Sequence, residues 1–134
     1  MSSNVDIVRR AFAAFEHRDA EALRAVASPD VVFETYTGQL AGVDEPYRGH
    51  EGLVRYLTDV ARVWQELRPV PDRFLEGDDG IVVATGRVYA WGEGRVIDAP
   101  AGWLWRVHDG LLVYGRVFDS ATGALEAAGM GDRR

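Results

Sequence analysis

Three turn signals, Asp79-Gly80, Gly92-Glu93-Gly94 and Asp109-Gly110, cut the back half of the chain into apolar runs. These runs lie at about 67–76, 81–91, 95–99 continuing into 102–107, and 111–118. Turns this tight, made of residues that accept positive φ, join antiparallel neighbours; a parallel pair would need a crossover of roughly a dozen residues or more. The back of the chain is therefore an antiparallel meander. Its last hairpin, GWLWRVHDGLLVYGRVFD from Gly102 to Asp119, places bulky apolar residues on both faces. A sheet with one wet face alternates apolar with polar side chains, so both faces of this hairpin need a cover.

The front half supplies one cover. Val8, Ala11, Phe12 and Phe15 fall at helical spacing with Asn4 as a cap before them, and Ala20, Leu23, Val26 and Ala27 continue into a shorter helix capped by Asp19 and ending before Pro29. Val31 to Thr37 is β-branched and aromatic and reads as a strand. GQLAGVDEPYRG reads as a loop of about twelve residues. His50 to Trp64 then forms a third helix, with Leu53, Tyr56, Leu57, Val60 and Trp64 on one stripe and Arg55, Asp59, Arg62 and Glu66 opposite. Helices first and a meander after make an α+β domain, one unit over 1–134 with an ordered core of about 4–129.

Composition narrows the chemistry. A net charge of −6 and a pI near 5.0 argue against a nucleic-acid footprint. No apolar run approaches the ~20 residues that span a bilayer, and MSSNVDIVRRAF lacks a leader's apolar segment, so no membrane partner and a cytoplasmic location are expected. Cysteine is absent, which removes thiolate nucleophiles and thiolate metal sites; all fifteen basic residues are arginine, which removes Schiff-base chemistry on a lysine. None of Ser2, Ser3, Ser28 and Ser120 sits in a Gly-x-Ser-x-Gly elbow. His17, His50 and His108 lack metal-ligand spacing, so no metal and no cofactor are expected. His50 remains an acid–base candidate.

Several phrases carry a family likeness: VRRAFAAFEHRDAEAL, SPDVVFE, YRGHEGLVRYLTDVARVW, RFLEGDDGIVVATGRV, DAPAGWLWRVHDGLLVYGRVFD and ALEAAG. In this order they resemble the nuclear transport factor two-like superfamily, ketosteroid isomerase-like in fold, and most closely its SnoaL-like branch. The resemblance implies a cone: a curved antiparallel or mixed sheet wrapped around three helices of the N-terminal half, with a pocket between them. It also implies dimers formed through the outer sheet face. Such scaffolds host unrelated chemistries, so the residues must decide.

The ketosteroid isomerase positions fall here on Ala11, Thr35, and Gly102 or Trp103, none of the required type, although Glu34 stands next to Thr35. The Arg-x-Asp pair of limonene epoxide hydrolases becomes Arg87-Val88-Tyr89, and its terminal acid aligns with Asp119 or with Ser120. Pocket acids of SnoaL-type polyketide cyclases occupy a comparable place. The candidate catalytic set is therefore Asp119, Arg87 and Glu34, a general acid–base group with polarising partners acting on an apolar metabolite by isomerisation, cyclisation or epoxide hydration. Tyr36, Tyr56, Trp64, Tyr89, Trp103 and Trp105 are candidates for the ligand-binding wall. Each has a plainer role open to it: a turn cap for Asp119, ion pairing on the sheet for Arg87 and Glu34, core packing for the aromatics.

The hairpin's loop length decides whether Asp119 faces inward. A three-residue loop would put Trp103 and Trp105 on one face with Val113, Gly115, Val117 and Asp119, with Trp103 opposite Gly115. The other face would then hold Leu104, Arg106, Leu112, Tyr114, Arg116 and Phe118, an interface-like mixture for a second copy. A two-residue loop would swap Arg116 inward. The competing function is a non-catalytic ligand-binding or dimerisation domain.

Overall fold

The structure is a computed structural model and describes residues 3–35 and 46–130. Helix α1 (Asn4–Glu16) starts at a capping box in which Ser3 Oγ accepts from the Asp6 amide at 3.1 Å and Asp6 Oδ2 accepts from the Ser3 amide, so the cap is Ser3 rather than Asn4. Helix α2 (Ala20–Val26) is capped as expected by Asp19. Strand β1 (Ala27–Glu34) begins directly where α2 ends, four residues earlier than its apolar run suggests. A two-residue strand β2 (Tyr47–Arg48), hidden in what reads as loop, precedes helix α3 (Gly49–Val63). Then come β3 (Glu66–Glu76), β4 (Ile81–Gly92), β5 (Arg95–His108), β6 (Leu111–Phe118) and helix α4 (Ala121–Ala127).

The six strands form one mixed sheet in the order β2-β1-β6-β5-β4-β3. The meander is antiparallel throughout, and β1 joins β6 in parallel, a long connection that runs through the helices. Prolines find the places a sheet tolerates. Pro69 and Pro71 lie on the edge strand β3, and Pro100 lies where β5 pairs only with β4, so none removes a needed ladder donor.

Helices α1 and α3 bury their apolar faces against the concave side of the sheet. The core joins Phe12 and Phe15 to Phe33, Tyr56, Val60, Val82, Ala84, Val88, Trp103, Trp105 and Val117. On the convex side α4 covers one stretch, where Val83, Leu104 and Ala124 are buried. Gly102 makes room there, since a Cβ on it would lie 2.7 Å from that of Ala124.

The last hairpin combines the two registers its sequence leaves open. The loop has two residues, with Asp109 at φ 51 and Gly110 at φ 78, and His108 pairs Leu111. A bulge then takes up Val113, so Trp105, not Trp103, stands opposite Gly115, while Trp103 faces Val117. The extra residue restores the inward parity of Gly115 and Val117, keeps Arg116 outside, and brings Leu112 to the core side. A Cβ at Gly115 would lie 2.5 Å from Trp105 Cζ3, so the indole needs that glycine.

Candidate functional site

A cavity opens where the cone's walls meet. Phe12 and Phe15 of α1 and Tyr56, Leu57 and Val60 of α3 form one wall, and Phe33, Val88, Trp103, Trp105 and Val117 of the concave face form the other. Leu67, Pro69 and Arg18 complete the lining. The rings fill most of the space. Phe12 stands edge-on to Trp103 and to Trp105, with centroids at 5.0 and 5.5 Å, while Trp105 stacks on Phe33 at 5.8 Å and Tyr56 meets Phe33 edge-on at 5.0 Å. The remaining cavity is about 30 Å³, room for roughly two waters at ~10–15 Å³ each. A larger guest enters only if rings part.

Three residues of this lining carry polar side-chain groups: Arg18, Tyr56 and Trp105. Trp105 is 2% exposed, and its Nε1 has no acceptor among the described residues. Arg18 follows the end of α1 and sends Nη2 to the carbonyl oxygens of Trp64 and Gln65, at 3.3 and 3.2 Å. Among the described residues no carboxylate lines the cavity.

The sequence-derived catalytic set does not converge here. Asp119 is exposed beyond the end of β6 and has no bonded partner among the described residues; the turn cap it was expected to provide is supplied by Ser120 Oγ, which accepts from the Gly123 amide at 3.0 Å. Arg87 is exposed on the convex face, where its Nε donates to Asp98 Oδ1 at 2.7 Å. Glu34 is also convex, because its neighbour Phe33 faces the core, and it accepts a hydrogen bond from the Tyr114 hydroxyl. Burial, with Glu34 adding to it, pushes that hydroxyl up to about 12.

Of the expected wall, Tyr56, Trp103 and Trp105 line the cavity. Trp64 is buried beside it under the Arg95 guanidinium, and Tyr89 points outward at 37% exposure. Tyr36 lies outside the described residues. His50 Nε2 lies 2.9 Å from the Ala27 carbonyl oxygen, as a donor that ties α3 to the start of β1.

Two features escaped the reading of periodicity. Asp59, placed on the wet side of α3, is 5% exposed, because β2 lies along that flank. Its carboxylate accepts from Tyr47 Oη at 2.8 Å and from Arg62 Nη2 at 2.5 Å. Burial, and then the bond to Asp59, pushes the Tyr47 hydroxyl above the ordinary range of a phenol. The second is Arg18, which broke the helical pattern within His17-Arg18-Asp19 and so registered only as a boundary. An arginine where a helix end favours glycine was the available signal.

Comparison with known proteins follows the same outline. A family model described as the SnoaL-like domain matches residues 8–115. A protein of Mycobacterium tuberculosis, "Uncharacterized protein Rv0034", is 36% identical over 98 residues, which are 72% of this chain and 72% of that one. Among solved structures, an NTF2-like protein of unknown function from Burkholderia pseudomallei superposes with a TM-score of 0.79 at 25% identity, covering 96% of this chain and 98% of that one. TerC, co-crystallised with polyporic acid, gives the same TM-score and identity over 95% and 98%.

Proposed function

The chain belongs to the SnoaL-like family, and from that premise we propose that it binds a small, mostly apolar molecule in the cavity between α1, α3 and the concave sheet face. The observation that carries this reading is Trp105, a residue of the aromatic cavity's lining whose buried indole N–H has no acceptor among the described residues. Such an atom costs about 1–3 kcal/mol while unpaired, and an oxygen on a guest would satisfy it. The co-crystallisation of TerC, a protein of the same fold, with polyporic acid adds support.

The lining favours binding without turnover. It holds donors that can orient or polarise an oxygen, and no carboxylate base among the described residues. A cofactor-independent isomerase, cyclase or epoxide hydrolase built on this cavity would use Arg18, Tyr56 and Trp105 next to its substrate, with Asp119, Arg87 and Glu34 outside it. NMR titration with cyclic enones and epoxides tests the reading. Shifts confined to Phe12, Trp103 and Trp105 are the expected result, unchanged in Asp119→Asn; shifts centred on Asp119 and Arg87 would restore the first catalytic set, and silence from every compound removes the site.

The same proposal includes a homodimer through the convex face. Among the described residues Val70, Tyr89, Trp91 and Val96 are the exposed large hydrophobics, and the ladder places all four on that side, Trp91 directly opposite Val96. Sedimentation of the wild type against a Tyr89→Glu, Trp91→Glu double variant checks it: a dimer that becomes a monomer is expected.

A further inference from the structure

Arg18 is the only charged residue on the cavity wall among the described residues. It is also held against local preference. The end of α1 is a Schellman motif, with the Asp19 amide bonded to the Ala14 oxygen at 2.9 Å and the Arg18 amide to the Phe15 oxygen at 3.2 Å, and Arg18 takes its left-handed position at φ 54. Glycine adopts that conformation freely and a residue with a Cβ does not. Asp79, Glu93 and Asp109 share that conformation in hairpin turns; of the four, Arg18 belongs to the cavity lining.

The guanidinium is fixed and incompletely used. Both of its bonds leave from Nη2, to the backbone of Trp64 and Gln65 just past α3, which also suits a cation at a helix C-terminus. Nε and Nη1 have no acceptor among the described residues, and no carboxylate there pairs with the group, whereas Arg24, Arg62, Arg68 and Arg87 each have one. A half-buried cation with a free edge, preorganised beside an aromatic cavity, is a receptor for an oxyanion. Trp105, of the same lining, has an Nε1 without an acceptor among the described residues and is an independent second donor.

We propose that Arg18 selects an amphipathic carboxylate as the guest of this cavity, its acid on the free guanidinium edge, its unsaturated body between Phe12 and Trp103, and a second oxygen within reach of Trp105 Nε1. The inference rests on the cavity being the ligand site. Because the cavity is about 30 Å³, the body displaces the Phe12–Trp103 edge contact, and the cost of that opening lowers affinity for every guest alike. The charge on the guest then decides which one binds.

The experiment titrates the full chain with a matched pair, trans-cinnamate and cinnamamide, following backbone and indole N–H resonances. Cinnamate should bind about tenfold tighter than the amide or better, as one charge-assisted bond gives, with the Trp105 indole resonance shifting as the phenyl ring enters. Arg18→Gly, which suits the left-handed position and so keeps the helix end intact, should bring cinnamate down to the affinity of the amide and leave the amide unchanged. Arg18→Lys should retain part of the preference. Equal affinity of the two probes for the wild type, or a preference that survives Arg18→Gly, overturns anion selection while leaving the cavity as a binding site. If neither probe binds, the cavity reading itself falls, and this proposal with it.

Discussion

The two faces of the sheet are built from the same strands and behave as different materials. On the concave face Phe33, Val88, Trp103, Trp105 and Val117 interlock with α1 and α3, and the rings meet edge to face and stacked. On the convex face the intervening residues are Glu34, Arg87, Tyr89, Trp91, Arg106 and Arg116, and among the described residues α4 covers the stretch over Val83 and Leu104. Glu34 and Arg87, which attract a catalytic reading in sequence, thus stand on the side away from the cavity, and Asp119 lies exposed beyond the end of β6. The lesson concerns charge. A sheet residue that can ion-pair in water, as Arg87 does with Asp98, has no reason to face an aromatic core, so the polar groups that do line the cavity arrive from a helix end and from an indole.

Substitutions on the two faces should separate accordingly. The largest effect is expected for Trp103→Ala, which deletes a 3% exposed ring from the cavity wall and should cost about 3–5 kcal/mol in urea unfolding; a loss below ~1 kcal/mol would mean the concave face is not close-packed. The same variant should gain stability on adding benzene or indole, because the space it creates is apolar. Next comes Gly115→Val, which overpacks the same wall from the strand side against Trp105 and Phe33 and should cost about 1–3 kcal/mol.

Titration supplies a smaller contrast. The Tyr114 hydroxyl, raised from 10.0 to about 12, holds its proton more tightly in the folded chain, so its contribution to stability is complete below pH 10 and is lost as pH rises through about 12. Unfolding measured at pH 9 and again near pH 12 should show a decline that Tyr114→Phe reduces; the acid limb should be untouched by that substitution. Smallest of all is Arg87→Ala, a change within about 0.5 kcal/mol for an exposed pair, with no effect on guest binding. A marked loss of binding in that variant would erase the distinction between the faces.

Much of this was legible early. Tight turns announced the meander, helical spacing announced α1 to α3, and the quoted phrases announced the family. The aromatic wall was legible in part, since Tyr56, Trp103 and Trp105 are bulky residues at inward-facing places. Asp59 was missed because its helical position reads as solvent, and only the β2 flank, two residues long, makes it interior. Arg18 was missed because a local pattern can show that a helix ends but not what the last side chain reaches.

The sequence by itself determined the order and type of the longer elements, all but the two-residue β2, because turn chemistry and apolar period act between near neighbours. The tertiary structure decided which residues share a face and which meet. One bulged residue, Val113, inverts the parity of everything after it in β6, since side chains alternate at every step along a strand. Arg18 comes within reach of Trp64 and Gln65, nearly fifty positions along the chain, only once α1 and α3 have packed on the same concave wall.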